Sequence, residues 1–306
     1  MNKWVQPPKL KPGDTVRFVS PASTPAKNDV NTQLLRDMGL KVEIAPHAFD
    51  EYGYLAGTDE DRLADLNDAI RDPNIKAIIA TRGGKGAYRI ADGMDFAALN
   101  KNPKLLIGFS EITILHMAIL KHCGIAGIHG APWDAETFGQ KTAESFVRAA
   151  FTTKTIIIKT NPDEPTKELT THGKVTGRLI GGNQDSIATA AGWASPSFEG
   201  AILLLEAFNM RLGHIDRQLT MLMNSRALRG VTGVVVGQYT DCDSDATTQG
   251  DWTYIDVLRD RLDKLGVPIL GGLSTGHGKH PLAVPIGTIA TLDADAGVLQ
   301  IAPAVC

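Results

Sequence analysis

Four features of this chain are of the right chemical type to act together. The first is Ser110 in "LLIGFSEIT" (105–113), where an apolar run ends in a glycine, an aromatic residue, a serine and an acid. A hydroxyl at a strand-to-helix turn can be a nucleophile, presented beside the free N–H groups that begin a helix. It can equally be a helix cap, its oxygen accepting from a backbone N–H two or three residues on. The second is Glu206, which follows the apolar run "AILLL". A carboxylate there is costly to bury unless something pairs with it. It could orient a histidine, as the acid of a catalytic triad does, or form an ion pair at the rim of a sheet. The third is His277, one of eight histidines, in the glycine-flanked "GGLSTGHGKHPLAVPIG" (271–287); functional histidines often sit on such loops. The fourth is "TRGGKG" (81–86). It lacks the lysine-serine/threonine end of a P-loop and the spacing of a dinucleotide fingerprint. Its N–H groups could approach an oxyanion, or its glycines could serve a tight turn.

Other candidates are weaker. His116 and His122 share a helix but lack the spacing of a metal pair. Cys123, Cys242 and Cys306 are scattered, an odd set with no metal or disulfide pattern. Trp193 in "AAGWASP" could stack on a flat ligand or pack at a helix end.

The elements that must hold these residues alternate in the first half. Strands are expected at 15–20, 41–45, 75–80, 104–109 and 125–130. Helices are expected up to Met38, over 57–73 with Thr58 and Asp61 as a capping pair, and over 111–124. This alternation indicates a parallel sheet covered on both faces, with ligands at the carboxyl ends of its strands. Ser110 and the glycine loop both fall at such ends. The second half has strand-like runs over 155–183, 201–208 and 233–238. Helices are expected over 212–228 and 251–266, and two strands around a turn over 284–302. The proline- and charge-rich 161–168 reads as a surface loop. With 306 residues, two domains are expected, divided near 150–165.

Composition narrows the function classes. A net charge of −3 and the lack of any basic-aromatic stripe give no footprint for nucleic acid or an anionic membrane. No run approaches the roughly 18 apolar residues of a membrane span, and the start has no signal-peptide core. A reduced, cytoplasmic protein is expected.

Five segments, in order, resemble the LD-carboxypeptidase family of serine peptidases. They are 53–90, "IGFSEIT" (107–113), "GRLIGGNQDSI" (177–187), "GAILLLEAF" (200–208) and "GHGKHPLAVPIG" (276–287). The opening "LKPGDTVRFVSPAS" (10–23) is similar too, so the likeness covers nearly the whole chain. The resemblance implies a flavodoxin-like (class I glutamine amidotransferase-like) α/β domain over 1–155, carrying the nucleophile. It implies a smaller β-rich, swivelling C-terminal domain over 165–306, carrying the acid and base. It assigns a triad of Ser110, Glu206 and His277, with His277 rather than His280 as base. Backbone N–H groups of Gly84 and Glu111 would form the oxyanion hole. The implied reaction releases terminal D-Ala from a muropeptide tetrapeptide by cutting an L-D bond, with no metal or organic cofactor, in a homodimer. Within the family, the alternative is a microcin-immunity-type amidase acting on peptidyl-nucleotide antibiotics, for which Trp193 would be the stacking residue. Outside it, the alternative is a small-molecule binding protein on a flavodoxin-like scaffold. Two residues depart from the family pattern. Glu111 stands where Asp is usual, and Lys85 stands where the loop is often aromatic; a cation there would favour a carboxylate-bearing substrate.

Overall fold

The structure is a computed structural model. It describes residues 4–26, 30, 32–130, 139–242 and 251–306. Thirteen strands are described: β1 (Thr15–Val19), β2 (Lys41–Ile44), β3 (Ile75–Ala80), β4 (Leu105–Gly108), β5 (Gly127–His129), β6 (Ile156–Lys159), β7 (Lys174–Asn183), β8 (Ala201–Phe208), β9 (Gly233–Thr240), β10 (Ile269–Leu270), β11 (Val284–Ile286), β12 (Ile289–Asp293) and β13 (Val298–Ile301). They form two sheets, in the orders β11-β5-β4-β3-β1-β2 and β10-β9-β8-β7-β12-β13-β6.

In the first sheet β1 to β5 are parallel and β11 closes one edge antiparallel to β5. The strands are short and apolar because both faces are covered; all four residues of β4 are buried. The order reverses between β1 and β3, and such a reversal opens a crevice at the carboxyl ends of the strands. The glycine loop follows β3 and Ser110 follows β4, so both stand at that crevice. In the second sheet β7 to β10 run parallel, while β12, β13 and β6 are added antiparallel.

Between the sheets lies the helix Thr113–Cys123, packed against β7 and the helix Gln184–Ala190. Nine of its eleven residues are buried, leaving only Lys121 and His122 exposed. A helix apolar nearly all round must be covered on every side, and this one is. By contrast, the helix Leu212–Asn224 buries only Leu212, Ile215, Leu219 and Leu222, a single stripe. Each apolar core draws on both sheets: Val19 and Ile78 share one with Leu203 and Val236, and Val16 and Ile107 share the other with Leu204 and Val235.

Two segments differ from expectation. Residues 284–302 hold three strands. β11 leaves the second half to join β5 in the first sheet, and the left-handed Gly287 turns the chain back before β12 begins. The segment 161–168 is partly interior: Thr166 is buried and donates to the Gly237 carbonyl at 3.0 Å. Its threonine and short helical turn, Pro165–Leu169, supply an internal hydrogen bond that its composition hides.

Candidate active site

Ser110 has φ +60°, a left-handed conformation that a serine rarely adopts. It opens a turn of 3-10 helix, Ser110–Ile112, which leads into Thr113–Cys123. Neither helical segment has a side-chain cap, so the cap reading of Ser110 fails. Backbone strain of this kind, about 1–3 kcal/mol, tends to cluster at functional sites. Gly83 lies directly against it: a Cβ there would come within 2.7 Å of Ser110 Cβ and 3.0 Å of its Oγ.

The glycine loop is laced in place from several sides. Ser23 Oγ accepts from Lys85 N–H at 3.0 Å, and the Ser23 N–H donates to the Gly83 carbonyl at 3.3 Å. The buried Arg62 donates to the Gly86 carbonyl at 2.9 Å and to the Pro21 carbonyl at 2.6 Å. Glu111 is buried and accepts from Ala87 N–H at 3.1 Å, which fixes the far end of the loop. Burial pushes the Glu111 carboxyl up to about 6, against the backbone donors at Ala87 and Gly86 and the charge of Lys85. Among the described residues neither the Gly84 nor the Glu111 amide donates to a partner.

Glu206 is fully buried near the end of β8, at a bulge where the pairing with β9 shifts register. Bulges beside functional sites re-aim side chains. His277 Nδ1 bonds Glu206 Oε2 at 2.7 Å. Burial alone would raise the Glu206 carboxyl; the charge and hydrogen bond of His277, then His129 and Asn183, outweigh it and leave the group below its ordinary value. The His277 ring stacks on Phe208 at 5.0 Å between centroids and meets Phe109 at 4.8 Å. Phe109 is the residue before Ser110, so the imidazole rests on the turn that carries Ser110.

The loop that carries His277 needs its glycines. Gly276 has φ +129°, and a Cβ there would lie 3.0 Å from Glu206 Oε2. Gln238, buried on β9, accepts from the Gly278 N–H at 3.0 Å and donates to the Lys279 carbonyl at 3.1 Å and to Glu164 at 2.6 Å. His277 is thereby pinned on both sides.

Contacts between the halves gather at these strand ends. Asn183 N–H donates to Thr113 Oγ1 at 3.1 Å, and Ser186 Oγ to the Ser110 carbonyl at 3.4 Å. Lys85 Nζ pairs with Asp185 Oδ2 at 2.7 Å. Asp185 also accepts from Gln218, which is bonded to Gln184, which accepts from the Tyr239 hydroxyl. The Lys85 ammonium is therefore engaged across the cleft. Trp193 is 37% exposed and its indole N–H donates to the Thr189 carbonyl at 2.6 Å.

Sequence reasoning missed Phe109, Phe208, Gln238 and Arg62. Phe109, next to Ser110, and Phe208, two residues after Glu206, lie in the quoted motifs and carried a signal that could have found them. Among the described residues, His47, Asp50 and Asp61 are the one group with ligand atoms close enough for a metal, within 4.8 Å of one another. That group shares no residue with the site around Ser110. No helix among the described residues is long and apolar enough to cross a membrane.

Comparison with known proteins bears on the family and the fold. Residues 16–130 match the N-terminal domain model of the LD-carboxypeptidases, and residues 176–292 match their C-terminal domain model. A Bacillus subtilis protein named "probable murein peptide carboxypeptidase" is 33% identical, over 94% of this chain and 91% of its own. The murein tetrapeptide carboxypeptidase of Pseudomonas aeruginosa is 30% identical, over 91% of this chain and 92% of its own. The crystal structure of an MccF-like protein from Bacillus anthracis superposes with a TM-score of 0.85 at 25% identity, covering 98% of this chain and 99% of that one. The mixed α/β, two-sheet, two-domain architecture is shared with it. The chain thus belongs to the LD-carboxypeptidase family and is a serine-type carboxypeptidase.

Proposed function

We propose that Ser110, Glu206 and His277 form a catalytic triad that removes the terminal D-Ala of a muropeptide tetrapeptide by hydrolysing an L-D amide bond. The observation that carries this reading is the 2.7 Å bond from His277 Nδ1 to buried Glu206, with the imidazole resting on Phe109 beside the strained Ser110. With Nδ1–H given to Glu206, Nε2 is left as the base. It takes the Ser110 proton as Oγ attacks the scissile carbonyl. Glu206 holds the tautomer and stabilises the imidazolium. The oxyanion is received by the N–H groups of Gly84 and Glu111. His277 then gives its proton to the leaving amine of D-Ala, and water, deprotonated by His277, hydrolyses the acyl-enzyme. The murein names of the two relatives support the substrate class.

The same proposal includes a flavodoxin-like first domain over 1–155, supported by the strand order β2-β1-β3-β4-β5. It also includes a swivelling second domain over 165–306, a homodimer and a cytoplasmic location. Lys85 is assigned to substrate selection, exchanging Asp185 for a substrate carboxylate. The likeness to an MccF-like protein favours one second reading, hydrolysis of a peptidyl-nucleotide, with the exposed face of Trp193 stacking on the base.

Mass spectrometry of the products from a defined L-D tetrapeptide, its all-L counterpart and a peptidyl-adenylate mimic tests the choice. Release of D-Ala from the first alone is expected. Cleavage of the adenylate mimic alone would favour the second reading, and cleavage of none would reject both.

A further inference from the structure

Glu206 spends one oxygen on His277. Its other oxygen, Oε1, is buried and has no hydrogen-bond partner among the described residues, and neither has either ring nitrogen of His129. Buried polar atoms without partners are rare and each costs about 1–3 kcal/mol, so two such groups side by side call for an explanation. They face each other: His129 Nε2 lies 3.7 Å from Glu206 Oε1, with the two side chains 1% and 0% exposed.

The surroundings hold the imidazole in that place. His129 ends β5, opposite Gly108 of β4 and Val284 of β11. Its ring stands edge-on to Phe109 at 6.3 Å. On the other side it meets Gly182, where a Cβ would come within 2.8 Å of Nδ1 and Cε1. A side chain at 182 would drive the ring away, so the last glycine of "GRLIGGN" makes its room.

We infer that His129 is a positioning residue for the triad acid: a neutral imidazole with its proton on Nε2, aimed at Glu206 Oε1, which keeps Oε2 on His277 Nδ1. Burial pushes the His129 ring down to about 4, against the charge of Glu206, so the ring is uncharged at neutral pH. A neutral imidazole has one N–H to place, and the carboxylate oxygen is the anionic acceptor beside it. A separation of 3.7 Å exceeds hydrogen-bond length. Catalytic hydrogen bonds are often long in the unliganded enzyme and tighten in the substrate complex. Beside His277, the Asn183 carboxamide also favours the charged Glu206; a donor on Oε1 adds to that hold and limits rotation of the carboxylate about its last bond. This inference rests on the triad reading above.

The test compares His129→Leu and His129→Gln with the wild type. Three readouts are taken: melting temperature, kcat and KM on the tetrapeptide, and the downfield proton NMR resonance of His277 Nδ1–H, assigned by its loss in His277→Ala. With His129→Leu we expect a cooperative fold and KM within about twofold of wild type. A fall in kcat of about 10- to 100-fold is expected, the range that outer-shell partners of ligating histidines give. The resonance should broaden or move upfield. His129→Gln, which keeps a donor, should recover most of both. If His129→Leu does not fold, His129→Phe serves as the second variant without a donor. A resonance and kcat unchanged in the non-donor variant would overturn the inference, as would a glutamine variant as impaired as the leucine one. A wild type that shows the resonance yet releases nothing from the tetrapeptide contradicts the proposed substrate instead, and the resonance alone then judges His129.

Discussion

Glu206 carries the heaviest electrostatic demand of any residue in the site. It is a fully buried carboxylate that stays ionised because two imidazoles and a carboxamide surround it. Glu206→Gln should preserve the fold, since no charge is then left to bury. It should lower kcat by about 10⁴-fold, as the equivalent change does in a serine protease where it imposes the wrong tautomer. Steady-state kinetics beside a thermal melt checks this. Glu111 is the opposite case, a carboxyl raised by burial to about 6. An acid raised on folding binds its proton more tightly in the native state, so its contribution falls as pH rises from about 4.5 to 6. Glu111→Gln should therefore flatten the pH dependence of stability in that window and raise the melting temperature above pH 6. An identical profile for variant and wild type would contradict this. Glu206 was legible in the sequence, because an acid after an apolar run has to be paired. His277 was one histidine among eight, and the Ser110 backbone strain has no letter of its own.

Two loops make the site, and at the scale of elements each is held from outside. The glycine loop is held by side chains that reach it from outside: Ser23, Arg62 and Glu111. The departure at Glu111 therefore bears on geometry, because its carboxylate binds Ala87 N–H. Glu111→Asp, one methylene shorter, should loosen that bond and lower kcat with little change in melting temperature. The His277 loop is held by the one side chain of Gln238 and by close approach. Gly276→Ala would place a methyl 3.0 Å from Glu206 Oε2 on a backbone that resists it. A displacement of about 1 Å at a reacting group can cost 10²-fold in rate, and a loss of at least that size is expected in kcat. Gln238→Ala should act on the same loop more gently, lowering kcat without removing any group of the proposed triad. The glycine clusters of both loops were visible in the sequence. Their braces were not, since Arg62, Gln238 and Glu164 lie far along the chain and no periodicity marks them.

Seen whole, the molecule is two sheets that share their cores, with the site where the strand ends of both converge. Alternation of strand and helix gave the first sheet away, and the buried helix 113–123 read correctly because it is apolar nearly throughout. The return of β11 to the first sheet could not be read, since three residues, "VPI", fit either sheet equally. Sharing cores buries titratable groups from both halves. Burial lowers His116 to about 3 and His129 to about 4. Between those values and about 6.5 the unfolded chain binds more protons than the native one, so stability rises with pH across that window and is lost on acidification. A melting temperature that falls from pH 6.5 to pH 4.5, less steeply in His116→Gln, is expected. The central claim concerns Ser110 and is tested most directly by D-alanine release from a muropeptide tetrapeptide, measured for wild type and Ser110→Ala side by side. Release by the wild type and none by the folded variant is the expected result; release by Ser110→Ala at the wild-type rate would contradict it.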